Sequence, residues 1–123
     1  AYSPLAQGLL TGKIGPDHVV EEGDNRRDNR LFQPPLRARA HAVVEAMRPL
    51  AAARGITLAQ LALAWVAGQP DTAAIAGART SAQVRENALA GDLVLEPELR
   101  SRLDALTPDL AQNDMSAMWT WST

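Results

Sequence analysis

The sequence predicts an α/β architecture, and only part of one. Three observations carry that expectation. Short apolar segments that suit strands, at residues 1–3 and 72–76, alternate with helical patterns. Each segment runs directly into a small-residue loop or glycine turn, as in parallel-sheet units. Two short strands make no independent sheet with a buried face, so the pattern calls for neighbouring strands that these 123 residues do not contain. The chain opens at Ala1-Tyr2-Ser3-Pro4-Leu5 with no element before it to pack on. That opening reads as the C-terminal piece of a larger domain, or as one chain of a split one.

The elements follow in order. Residues 1–3 read as a strand end, stopped by Pro4. Residues 4–12 form a loop or turn with Gly8 and Gly12. Residues 13–34 are polar and carry Gly15, Pro16, Gly23, Asp24 and the arginines Arg26, Arg27 and Arg30. A loop this long is unusual in a compact domain; such loops are functional or disordered. After Pro34 and Pro35, which suit a first helical turn, Leu36, Ala40, Val43, Val44, Met47, Leu50 and Ala51 make one apolar stripe. Gly55 ends that helix, and Pro49 predicts a kink or break near Arg48.

Thr57 with Gln60 fits a capping box and opens a second helix. Its apolar residues, Leu58 through Trp65, go nearly all round, which predicts burial on several sides. Gly68 and Pro70 end it. Thr72 to Ala76 is the second short strand, turned by Gly77. Thr80 with Gln83 forms another capping box, opening a helix that Gly91 stops. Glu96 to Leu106 gives a last helix with Pro97 in its first turn and Leu99, Leu103 and Leu106 as its stripe. The chain thus divides into a strand end and loop at 1–34, helices with the last strand at 35–106, and a tail at 107–123. That tail carries Met115, Met118, Trp119 and Trp121 without clear periodicity.

Composition excludes several function classes. A hydrophobic content of 46% suits one domain with a core. A net charge of −2 offers no basic surface for nucleic acid. Cysteine is absent, which removes disulfides, thiol catalysis and cysteine metal sites. The two histidines, His18 and His41, are not read as a metal site. No apolar run reaches the ~18 residues of a membrane helix. The expectation is a cytoplasmic protein without membrane or nucleic-acid partners.

Two stretches carry chemistry. In the first, from Ile75 to Asn87, Gln83, Glu86 and Asn87 share one helix face, and Arg79 sits one turn earlier on the same side. Gly77 lets backbone approach a ligand, the first-turn amides face an anion, and Arg79 adds a fork of donors. Together these suit an adenosine carrying a ribose phosphate. On spacing alone, a capped helix with surface charges accounts for the same residues. The second stretch, Tyr2-Ser3-Pro4-Leu5-Ala6-Gln7-Gly8-Leu9-Leu10-Thr11-Gly12-Lys13, is a strand end followed by a small-residue loop, a usual ligand position in parallel α/β folds. A plain turn shaped by glycines explains it equally. Both stretches follow a strand directly, so they are expected at the same end of a parallel sheet.

With these motifs the sequence resembles the aldo-keto reductase superfamily. Tyr2 to Lys13 is similar to the family's seventh-strand signature. Gly55-Ile56-Thr57-Leu58-Ala59-Gln60-Leu61-Ala62-Leu63-Ala64-Trp65 is similar to its seventh barrel helix, and Ile75 to Asn87 to its eighth strand with the cofactor loop and helix. The resemblance spans residues 1–106. Gly23-Asp24-Asn25-Arg26 resembles the long loop of the bacterial branch that includes potassium-channel β subunits. It implies a (β/α)8 TIM barrel, which typically needs ~250 residues, with this chain supplying the last two strands, their helices and extra helices.

The resemblance also implies roles. Tyr2 matches the aromatic that stacks on the nicotinamide ring. Ser3, Pro4, Leu5, Ala6, Gln7 and Gly8 match the pyrophosphate loop, with Lys13 and Arg26 closing over it. Gly77 and Arg79 match the site of the adenosine 2′-phosphate, and Gln83, Glu86 and Asn87 the adenine contacts. The cofactor implied is NADP(H), and the substrate a small carbonyl compound reduced by hydride transfer. The family's aspartate, tyrosine, lysine and histidine tetrad finds no match at Lys13, His18, Asp24 or His41, so no catalytic residue is assigned. The partner implied is the N-terminal part of the barrel. The alternative is a non-catalytic NADP(H)-binding or regulatory module.

Overall fold

The computed structural model describes residues 1–106; the tail with Trp119 and Trp121 lies outside the described residues. Among the described residues four α-helices form: α1 (Leu36–Ala52), α2 (Leu58–Ala67), α3 (Ser81–Ala90) and α4 (Pro97–Asp104). Short 3-10 turns occupy Ala6–Thr11, Asn25–Asp28 and Arg30–Phe32. The last two give the predicted irregular loop more local order than its composition suggests. Asp24 and Asn29 cap them, accepting from the Arg26 and Leu31 amides.

The core is built on α2. Leu58, Leu61, Ala62 and Ala64 meet Val44, Met47, Leu50 and Ala51 of α1, and Leu95, Leu99 and Leu103 from α4 and its approach. Ala59 and Leu63, on the other faces of α2, are buried as well. The near-uniform apolarity of this helix is thus matched by burial all round, as its pattern predicts. Leu61 is fully buried, which stabilises by roughly 1.5–3 kcal/mol relative to exposure. Leu9, Ile14, Phe32 and Ala40 form a second cluster beneath the long loop.

The predicted break at Pro49 does not occur, and α1 runs through it. Pro49 lies near the C-terminal end, so its missing amide removes a single backbone bond, and its carbonyl still accepts from the Ala53 amide at 3.0 Å. The helix then closes at Gly55, whose φ of 63° is left-handed. The Gly55 and Ile56 amides donate to the Ala52 and Ala51 carbonyls, satisfying the last turn.

The two predicted strands are not strands among the described residues. One parallel bridge joins Tyr2 to Ile75. The Ile75 amide donates to the Ala1 carbonyl at 2.9 Å, and the Ala1 nitrogen donates to the Ala73 carbonyl. A ladder needs flanking strands to extend it, and neither segment has one among the described residues. Tyr2 and Ile75 are therefore left 67% and 65% exposed. No helix among the described residues is long and apolar enough to cross a membrane.

Candidate functional site

The Tyr2–Ile75 bridge is parallel, so the chain leaves both segments toward the same end. The loop after Tyr2 and the turn after Ile75 thus become neighbours, as their positions after strands predicted.

The first loop holds an unusual backbone. Ser3, Ala6 and Gln7 have φ of 50°, 47° and 54°, and Gly8 has 95°. Left-handed geometry at a residue with a side chain costs roughly 1–2 kcal/mol, so the surroundings must hold it in place. The Ala6 amide donates to the Ser3 carbonyl, and the Gly8 and Leu10 amides both donate to that of Leu5. Thr11 Oγ1 donates to the Gly8 carbonyl at 2.6 Å. Pro4 is buried, and Leu5 packs on the main core. Gln7 reaches across to the long loop, where its Oε1 accepts from Asn29 Nδ2 at 3.0 Å. Lys13 is exposed, and its amide donates to Thr11 Oγ1.

The second segment is shaped by its cap. The Thr80 hydroxyl accepts from the Gln83 amide, while Gln83 Oε1 accepts from the Arg79 and Thr80 amides at 2.7 and 3.2 Å. Those two amides are thereby taken. The Ser81 and Ala82 amides stand at the first turn, where the helix itself offers no acceptor. Asn87 Nδ2 donates to the Gly77 carbonyl at 3.3 Å and folds the turn back on the helix. Glu86 bonds instead to α2: its Oε1 accepts from the Thr57 hydroxyl at 2.7 Å, and its carbonyl from Gln60 Nε2 at 3.3 Å. Gln83, Glu86 and Asn87 are half-buried on one face, and Arg79 is exposed.

Arg26 does not stand alone. Its guanidinium donates twice to Asp24 Oδ2 and once to Oδ1, with its carbon 5.9 Å from the Phe32 ring centre. The side-chain bond from Arg26, with help from its amide, lowers the Asp24 carboxyl to about 2. Arg79 adds a smaller electrostatic pull on the same carboxylate. Because that value is depressed, the stabilisation is fully present above the usual carboxylate range and is lost as pH falls toward 2. Asp24 and Asn29 are supporting residues that motif reading does not assign to the site, and it reads Thr57 and Gln60 only as a cap. Asp24 and Asn29 leave a signal, each standing two residues before the amide it caps. The Glu86 contact joins residues 29 positions apart and leaves none.

Two adjacent parallel segments, each running into a loop at the same end, are the arrangement of a parallel α/β domain. This chain belongs to the aldo/keto reductase family, whose sequence profile matches residues 1–108. It is 34% identical to a probable voltage-gated potassium channel subunit beta of Oryza sativa subsp. japonica, over 85% of this chain and 34% of the relative. It is 39% identical to an uncharacterized oxidoreductase of Mycobacterium bovis, over 87% of this chain and 32% of the relative. It is 42% identical to an NADH-specific methylglyoxal reductase of Escherichia coli, over 72% of this chain and 27% of the relative. The glycerol dehydrogenase of Gluconobacter oxydans superposes with a TM-score of 0.79 at 30% identity, over 87% of this chain and 33% of that one. The chain thus spans about a third of the length of these proteins. Its likeness to that dehydrogenase is to an aldo-keto reductase fold, in a family that uses nicotinamide cofactors.

Proposed function

We propose that this chain is the cofactor-binding portion of an NADPH-dependent reductase of aldehydes or ketones. The observation that carries the reading is the parallel pairing of Tyr2 with Ile75, which sets two ligand-suited loops side by side. Two details support a dinucleotide there. Nothing lies within 4 Å of where a Cβ on Gly77 would stand, so a ligand meets bare backbone. The Arg79 guanidinium makes no hydrogen bond or ion pair among the described residues, while its own amide is fixed by Gln83.

In this reading the loop from Ser3 to Gly8, with Lys13 and Arg26, faces the pyrophosphate. Tyr2 stacks on the nicotinamide, Arg79 with Gly77 meets the 2′-phosphate, and the face of Gln83, Glu86 and Asn87 meets adenine. Since Gln83 Oε1 serves the cap, its Nε2 is the group offered to the purine. The cofactor, when bound, supplies the hydride. This chain's residues bind and orient it, and the proton donor belongs to the rest of the barrel. Cytoplasmic location and an N-terminal barrel partner belong to the same proposal.

The NADH specificity in the name of the Escherichia coli relative makes the phosphate contact the point to test. In the complete protein, Arg79→Ala is expected to weaken NADPH binding by about 1.5–3 kcal/mol and NADH binding much less. Equal losses for the two cofactors would remove the phosphate assignment. A second reading, a nucleotide-binding regulatory module, is favoured by the likeness to the rice channel subunit. Carbonyl reduction by the complete protein separates the two.

A further inference from the structure

We propose that Thr57, with Gln60, is a positioning residue for purine recognition, holding the Glu86 carboxylate in the orientation that meets an adenine amine. The proposal rests on the adenine assignment made above and adds to it a residue from a different helix.

The Thr57 hydroxyl does two things. As an acceptor it caps α2, taking the Gln60 amide at 3.1 Å. As a donor it gives its single proton to Glu86 Oε1 at 2.7 Å. Capping needs only the acceptor, so the donor half is an extra function. Gln60 is also used twice. Its Oε1 takes the Thr57 amide at 3.1 Å, and its Nε2 donates to the Glu86 carbonyl at 3.3 Å. The start of α2 therefore grips both the side chain and the main chain of Glu86.

That grip comes from the most deeply packed helix among the described residues, with Leu61 fully buried behind it. By contrast, α3 buries only Ala90 and needs an outside reference to hold its face steady. Glu86 Oε2 makes no hydrogen bond among the described residues, so one carboxylate oxygen is fixed and the other is left to accept. An exocyclic amine is the donor an adenine presents. A carboxylate immobilised beforehand loses its rotamer freedom on folding rather than on binding, which favours affinity.

The test separates capping from positioning. Aspartate caps a helix as well as threonine but donates nothing, and it sets a second carboxylate against Glu86. In the complete protein, Thr57→Asp is expected to weaken NADPH binding by about tenfold, as for one lost hydrogen bond to a charged group. Affinity for reduced nicotinamide mononucleotide, which has no adenine, should not change, while the lost bond and the facing carboxylates lower the melting temperature. Thr57→Ser should bind both as the parent does. Glu86→Ala should show the same selective loss, and Thr57→Asp should add nothing to it. A selective loss in Glu86→Ala but not in Thr57→Asp would overturn the positioning role and leave the adenine assignment standing. An unchanged ratio of the two affinities in Glu86→Ala would overturn the adenine assignment, and this inference with it. Parallel losses of both ligands in Thr57→Asp would show a merely structural role.

Discussion

Gly12 marks the exit from the first loop, and two separate constraints meet there. Its φ is 71°, and a Cβ added to it would run into Leu58 Cδ1 and stand 3.3 Å from Arg48 Nη2. Gly15, three residues on, has neither constraint. Gly12→Ala is therefore expected to cost about 1–3 kcal/mol from left-handed strain and the contact with Leu58. Gly15→Ala should be neutral or slightly stabilising, since it only restricts the unfolded chain. Thermal denaturation of the complete protein compares them, and equal melting temperatures would contradict the assignment of strain to Gly12. Ser3, Ala6 and Gln7 share this left-handed geometry without being glycine. Nothing in their residue types announces it, because the surrounding hydrogen bonds impose it.

Helix α3 shows what an element rests on when its packing is thin. Only Ala90 is buried, while Val84 and Leu89 are 57% and 58% exposed. Its cap and its bonds to α2 therefore carry a large share of its order. Thr80→Ala is expected to cost about 1 kcal/mol and to speed hydrogen exchange across α3 while leaving α1 and α2 unchanged. A uniform rise across all helices would contradict that local dependence. Both capping boxes, at Thr57 and Thr80, were legible in the sequence because a cap is read over four adjacent residues. The stripe of α1 was legible for the same reason. The course through Pro49 was not, since its cost depends on how near the helix end lies. Nor was the Thr57–Glu86 bond, which depends on how two helices dock. In the site, motif spacing named Arg79, Gln83, Glu86 and Asn87 but not their present partners. The Gln83 carboxamide turns to the cap and the Glu86 carboxylate to α2.

At the scale of the molecule, the two segments are joined by a single parallel rung among the described residues. Tyr2 and Ile75 lie exposed along it, where a barrel would place further strands. The Ile75 amide is the reporter of that completion. Its hydrogen exchange is expected to be strongly slowed in the complete protein and nearly unprotected in this chain alone. Equal protection in both would show that the rung does not depend on the rest of the barrel. The rung also has a consequence in time. Ala1 and Ala73, which it brings together, are 72 positions apart in the sequence. The α1–α2 contacts, by contrast, join neighbouring elements. Closing a long chain loop costs entropy before any contact rewards it, so pairings of this kind form late. The helical layer is thus expected to fold first, and the loops after Tyr2 and Ile75 to meet late.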